Sequence, residues 1–60
     1  MTWKIKARNA SGVSEILSDD ARHAISRTDE LRTRGYIEVW IEDVNGNRIN
    51  EAELRRQAGL

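Results

Sequence analysis

His23 is the single histidine in the chain, and on a helix it stands one turn after Asp19 and one turn before Arg27. A carboxylate that orients an imidazole is the spacing of a general base. On the helical wheel, however, His23 lies well away from Ala24, Thr28 and Leu31, so it is expected to face water among local charge pairs. No second catalytic group stands at a spacing that would join it. The expectation is therefore a protein that is not an enzyme and has no catalytic residues. One histidine and no cysteine do not supply a zinc ligand set either.

Asp43-Val44-Asn45-Gly46-Asn47, followed by Glu51 and Glu53, resembles the opening of a calcium-binding EF-hand loop. It departs from that pattern at the positions that matter. Arg48 holds the place of the required glycine, Leu54 that of the final bidentate glutamate, and Ile49 comes one residue early. The segment before it also alternates like a strand. These residues are expected to form a hairpin turn and a helix cap, with no metal. Gly12, Gly35, Gly46 and Gly59 fall at turns or helix stops and make neither a phosphate loop nor a dinucleotide pattern, so no cofactor is implied.

The candidate site is a surface. By strand parity one sheet face carries Lys4, Lys6, Arg8, Ser14, Ile16, Tyr36, Glu38, Trp40, Glu42 and Arg48. Aromatic and basic residues on a sheet can stack and hold single-stranded nucleic acid. Here Glu38 and Glu42 bracket Trp40; they repel phosphates and neutralise the lysines. Trp40, Ile16 and Tyr36 either lie beneath Leu54 and Ala58 of a terminal helix, or stay open as an apolar centre ringed by charge. The open arrangement suits a protein partner or a homodimer. The expectation is a non-enzymatic protein-interaction module. A nucleic-acid-binding accessory protein using Lys4, Lys6, Arg8 and Trp40 is the alternative.

The elements that position this face follow from spacing. Trp3, Ile5 and Ala7 alternate with Lys4, Lys6 and Arg8 as a first strand, and Asn9-Ala10-Ser11-Gly12 ends it. A three-residue loop with a bulge at Gly12 returns Val13 to Leu17 as a second strand, with Ile5 facing Leu17 and Ile16 beside Lys6. Ser18 is expected to cap a helix whose buried stripe is Ala21, Ala24, Ile25, Thr28 and Leu31, with Gly35 as its stop. A third strand runs from Tyr36 to Glu42. A loop of Val44, Asn45 and Gly46 pairs Asp43 with Asn47, Glu42 with Arg48 and Ile41 with Ile49, which starts a fourth strand. Asn50 and Glu53 fit a capping box for a short last helix.

Assembled, these give an α+β domain of order ββαββα. Its four-stranded mixed sheet is expected to be ordered 2-1-3-4, with the first strand parallel to the third and the main helix on one face. Sixty residues fit one domain, which at this size buries only about 60% of its unfolded surface. Ten basic and ten acidic residues cancel, with the basic ones of the first strand set against Glu38, Glu42 and Asp43. No apolar run approaches a membrane span, and MTWKIKARN lacks the apolar core of a signal peptide, so a cytoplasmic protein is expected. Gly35, Tyr36, Val39, Ile41, Asp43 and Gly46 resemble a stretch seen after the helix in small uncharacterised bacterial proteins of strand-strand-helix-strand-strand pattern. That resemblance is structural and implies no activity.

Overall fold

The computed structural model describes residues 2–59. Strands β1 (Trp3–Asn9) and β2 (Gly12–Ser18) form an antiparallel hairpin. Its turn has two residues, not three: Asn9 pairs with Gly12, and the Asn9 side chain accepts the Ser11 N–H at 2.9 Å. Gly12 leaves the turn at φ +131°, a conformation open mainly to glycine, and this lets two residues close the hairpin. The register shifts by one as a result. Ile5 opposes Ile16, and Leu17 opposes Lys4. Ile16 therefore faces the core and Leu17 faces water, the reverse of the parity expected from a three-residue loop.

Helix α1 (Ala21–Arg32) buries Ala24, Ile25, Thr28 and Leu31, which recur on one face. Its cap is Asp20 rather than Ser18. The Asp20 carboxylate accepts the Arg22 and His23 N–H groups at 2.8 and 3.2 Å. Ser18 is occupied with the backbone of Asp20 itself. Asp20→Ala should cost about 1–2 kcal/mol of stability in urea denaturation, whereas Asp19→Ala should change little. Equal losses from the two would place the cap elsewhere.

Strand β3 (Glu38–Glu42) lies on the far side of β1, giving a three-stranded sheet ordered β2-β1-β3. Every neighbouring pair is antiparallel. This corrects both the four-stranded sheet and the parallel pairing of the first and third strands. Three reversals of direction separate β1 from β3 (into β2, into α1 and out of α1), so β3 runs with β2 and against β1. Charge complementarity between β1 and β3 is satisfied in either direction and cannot choose between them.

The turn after β3 has the expected pairing. Asp43 N–H donates to Asn47 C=O at 2.9 Å, Ile49 N–H to Ile41 C=O at 2.8 Å, and Glu42 bridges Arg48. Gly46 takes φ +85° in this turn. The ladder stops there because Asn50 already caps helix α2 (Glu51–Gln57), its side chain accepting the Glu53 N–H. A helix that starts so soon after Ile49 leaves no chain for a fourth strand.

β3 also begins later than Tyr36. Ile37 N–H donates to Arg8 C=O at 2.8 Å, although the register sets Arg8 opposite Glu38. Ile37 and Glu38 thus share one partner, a β-bulge that inserts one residue and inverts the alternation before it. Ile37 is left exposed and Tyr36 packs against the core.

The core is Ile5, Ala7, Ala24, Ile25, Leu31, Val39, Ile41 and Leu54. α2 packs on α1, burying Leu54 to 1% exposure. Arg32 forks onto both oxygens of Glu51, and Arg55 holds Asp29 at 2.7 Å. Both helices therefore sit on the same side of the sheet.

Candidate functional site

With both helices on one side, no helix among the described residues covers the other face of the sheet. Reading across β2, β1 and β3, three rows of side chains make it up. Leu17, Lys4 and Glu42 form the first, Glu15, Lys6 and Trp40 the second, and Val13, Arg8 and Glu38 the third. The middle strand is basic at each of these positions because it alternates Lys4, Lys6 and Arg8 with buried Ile5 and Ala7.

The charges are paired with one another. Lys6 Nζ lies 3.5 Å from Glu15 and 3.6 Å from Glu42, and Arg8 lies 3.4 Å from Glu38. Arg48 reaches back from the turn to Glu38 at 3.1 Å. The Arg48 hydrogen bond, with Arg8 adding to it, holds the Glu38 carboxyl below its ordinary range against an opposing cost of desolvation. Glu42 is held low first by the Trp40 indole N–H, which donates to it at 2.6 Å, and then by Lys6 and Lys4.

Trp40 is the half-buried centre of this face. Its indole points away from α1, since it pairs with Lys6 while Val39 and Ile41 on either side are buried. The Arg48 guanidinium lies 4.4 Å from the ring centroid, a cation–π contact that occupies one face of the ring. Trp40, Lys4, Lys6, Arg8, Glu38 and Glu42 are thus brought together as expected. Ile16 and Tyr36 are not. The first hairpin register turns Ile16 inward, and the bulge at Ile37 does the same to Tyr36. Val13, Glu15 and Leu17 take their place. The sequence signal for them was the two-residue turn, which Gly12 concealed by also suiting a three-residue one.

His23 is exposed, as expected, but its nearest polar contact is new. Its Nδ1 lies 3.1 Å from Ser18 Oγ. The pairing crosses the corner between β2 and α1, so helical spacing could not show it. Ser18 Oγ also lies 3.0 Å from Asp20 C=O and accepts the Asp20 N–H at 3.3 Å. The hydroxyl has one proton to give, and Ser18 is only 5% exposed at a tight corner. Its contacts fasten the start of the helix.

The EF-hand-like segment caps its own turn. One Asp43 carboxylate oxygen accepts the Asn45 and Asn47 N–H groups, both at 2.9 Å. These amides, that of Asn47 foremost, hold the Asp43 carboxyl below its usual range. Among the described residues no three His, Asp or Glu side chains converge as a metal ion would need. An open groove of about 470 Å³ between the helices is lined by Arg22, Ile25, Ser26, Asp29 and Arg55. Its cations are engaged, Arg22 with Ala58 C=O and Arg55 with Asp29.

No helix among the described residues is long and apolar enough to cross a membrane. Compared with protein-family models, curated proteins and solved structures, the chain matches none.

Proposed function

We propose that this chain is a non-enzymatic protein-interaction module of the cytoplasm that meets its partner with the outer sheet face around Trp40. The observation that carries the reading is the position of α2. By packing on α1 it leaves Trp40, Val13 and Leu17 on an uncovered face of mixed apolar and charged side chains. A half-buried aromatic centre with a charged rim is the composition of a protein contact surface.

Nucleic-acid binding on the same face is the alternative, and the geometry favours it less. Lys6 and Arg8 are engaged by Glu15, Glu42 and Glu38, and Arg48 covers a ring face that a base would stack on.

Affinity capture from the source cells, with wild-type and Trp40→Ala baits, tests the proposal. A partner identified with wild type should be depleted at least roughly tenfold by Trp40→Ala, the loss expected of a buried aromatic anchor. His23→Ala, on the helix side, should retain it. Circular dichroism of each bait confirms that the fold persists. Equal recovery by wild-type and Trp40→Ala baits sinks the reading. Salt-sensitive binding of a labelled single strand would move it to the alternative.

A further inference from the structure

The two edges of the sheet are treated differently. Because Arg8 C=O turns toward β3 to accept Ile37 N–H, the backbone groups of Lys4 and Lys6 turn the same way by alternation. Their partners on β2 therefore point backbone N–H and C=O groups out of the sheet at Val13, Glu15 and Leu17. On the opposite edge several of the corresponding groups of β3 are engaged. Val39 C=O accepts Arg32 Nη2 at 3.1 Å, Ile41 C=O accepts Ile49 N–H, and Asp43 N–H donates to Asn47. The bulge at Ile37 breaks the rest of that edge.

None of these devices protects β2. It runs for seven residues without proline, lysine, arginine or bulge, and among the described residues it pairs only with β1. Its outer side chains Val13 and Leu17 are 57% and 58% exposed. Water can satisfy such a row one group at a time, but another extended strand matches its alternating donors and acceptors all at once.

We propose that a second copy of this chain is that strand, pairing β2 with β2 antiparallel about a two-fold axis at Glu15. The pattern is self-complementary. Val13 and Leu17 stand two residues either side of Glu15, so the axis sets Val13 of each copy against Leu17 of the other. On the inner side Ser14 meets Ile16, and Gly12 meets Ser18, which uses the whole strand. A shift of one pair in either direction would instead set Glu15 against Val13 or Leu17 and lose the apolar match. The cost of the centred register is one Glu15–Glu15 contact at the axis. Each carboxylate already has its own Lys6 at 3.5 Å on the far side to offset it. The product is a continuous sheet of three strands from each copy, with the helices together on one side and both Trp40 residues on the other. This pairing uses the backbone edge of β2; it shares Val13 and Leu17 with the outer face but leaves Trp40 itself, two strands away, out of the contact.

Sedimentation equilibrium of the full chain from about 10 μM to about 1 mM tests it, a range suited to an interface of this small size. Wild type should dimerise. Val13→Lys and Leu17→Lys should each weaken the dimer at least roughly tenfold, since each change acts twice across the axis. Glu15→Gln should tighten it about threefold by removing the like-charge contact. Trp40→Ala should leave it unchanged. All four positions lie on the outer face, and thermal melts show that each variant still folds.

The chain has no cysteine, so a single introduced thiol reports the register directly. With oxidised glutathione as the oxidant, Glu15→Cys should crosslink to dimer much faster than Val13→Cys, because only residue 15 meets its own copy. A monomer over the whole concentration range overturns the proposal, as does a dimer insensitive to Val13→Lys. So does a dimer that Trp40→Ala dissolves, and that result would favour the Trp40 face instead. Partner capture lost in Trp40→Ala with the dimer intact would leave both readings standing separately.

Discussion

Leu54→Ala is expected to leave the domain close to its unfolding midpoint at ambient temperature. Truncating a fully buried leucine costs about 2–5 kcal/mol, while a domain of this length holds only roughly 3–9 kcal/mol in total. Leu54 is 1% exposed and is the one α2 residue in the core. A seven-residue helix has no stability of its own, so docking through Leu54 is what makes α2 a helix. Its release would also free Glu51 from Arg32 and Arg55 from Asp29, and would open one side of α1 to water. Urea unfolding followed by circular dichroism should show a large drop in midpoint with little change in slope. Leu54→Met keeps the volume and should stay within about 1.5 kcal/mol of wild type. A loss below about 1 kcal/mol for Leu54→Ala would mean that α2 is not part of the cooperative unit. The uncovered sheet face would then need another explanation, because the docking of α2 on α1 is what leaves it open.

What the sequence revealed followed from periodicity, and what it hid followed from single residues that alter a count. The helix stripe Ala24, Ile25, Thr28 and Leu31 was legible because four positions agree on one face. Trp40 was placed on the correct side of the sheet because Val39 and Ile41 fix the parity around it. The turn at Asn45-Gly46 was legible because only one loop length put two isoleucines together inside and Glu42 beside Arg48 outside. The first hairpin offered no such arbiter. Ile16 and Leu17 are adjacent and both apolar, so either register buries one of them, and the conformation of Gly12 decided the matter.

Tyr36 was lost to the same kind of event. A bulge cannot be seen in Tyr36-Ile37-Glu38, where each choice of phase leaves one apolar residue outside. The strand directions were a matter of counting reversals, and the missing fourth strand a matter of length, since the cap at Asn50 claims the chain first. Within the candidate site, residues anchored by long alternation stayed in place. Those beside a turn or a bulge moved, and Val13, Glu15 and Leu17 entered in their stead.

Acid is expected to destabilise the domain through β3 and its turn. Three carboxyls there, Glu38, Glu42 and Asp43, are held below their ordinary ranges by Arg48, by the Trp40 indole and by the backbone amide of Asn47 respectively. A carboxyl whose pKa is lowered on folding binds its proton more readily in the unfolded chain. Each therefore adds stability that is complete above the ordinary carboxylate range and is lost as pH falls through the lowered folded value. The urea midpoint should be flat near neutrality and fall as pH drops from about 5 toward about 3.

Asp43→Asn isolates one contribution, because the amide oxygen can still accept the Asn45 and Asn47 N–H groups and keep the turn. It should be less stable than wild type at pH 7 and should converge with it in acid. Glu42→Gln, which still offers an oxygen to the Trp40 indole, should do the same, as should Glu38→Gln. The three together should remove most of the acid slope. If the triple variant falls as steeply as wild type, these carboxylates are not what acid acts on. The ion pairs mapped around Trp40 would then be too well screened by water to hold Arg48 over the ring. With that side of the indole free, base stacking would regain its standing against a protein partner.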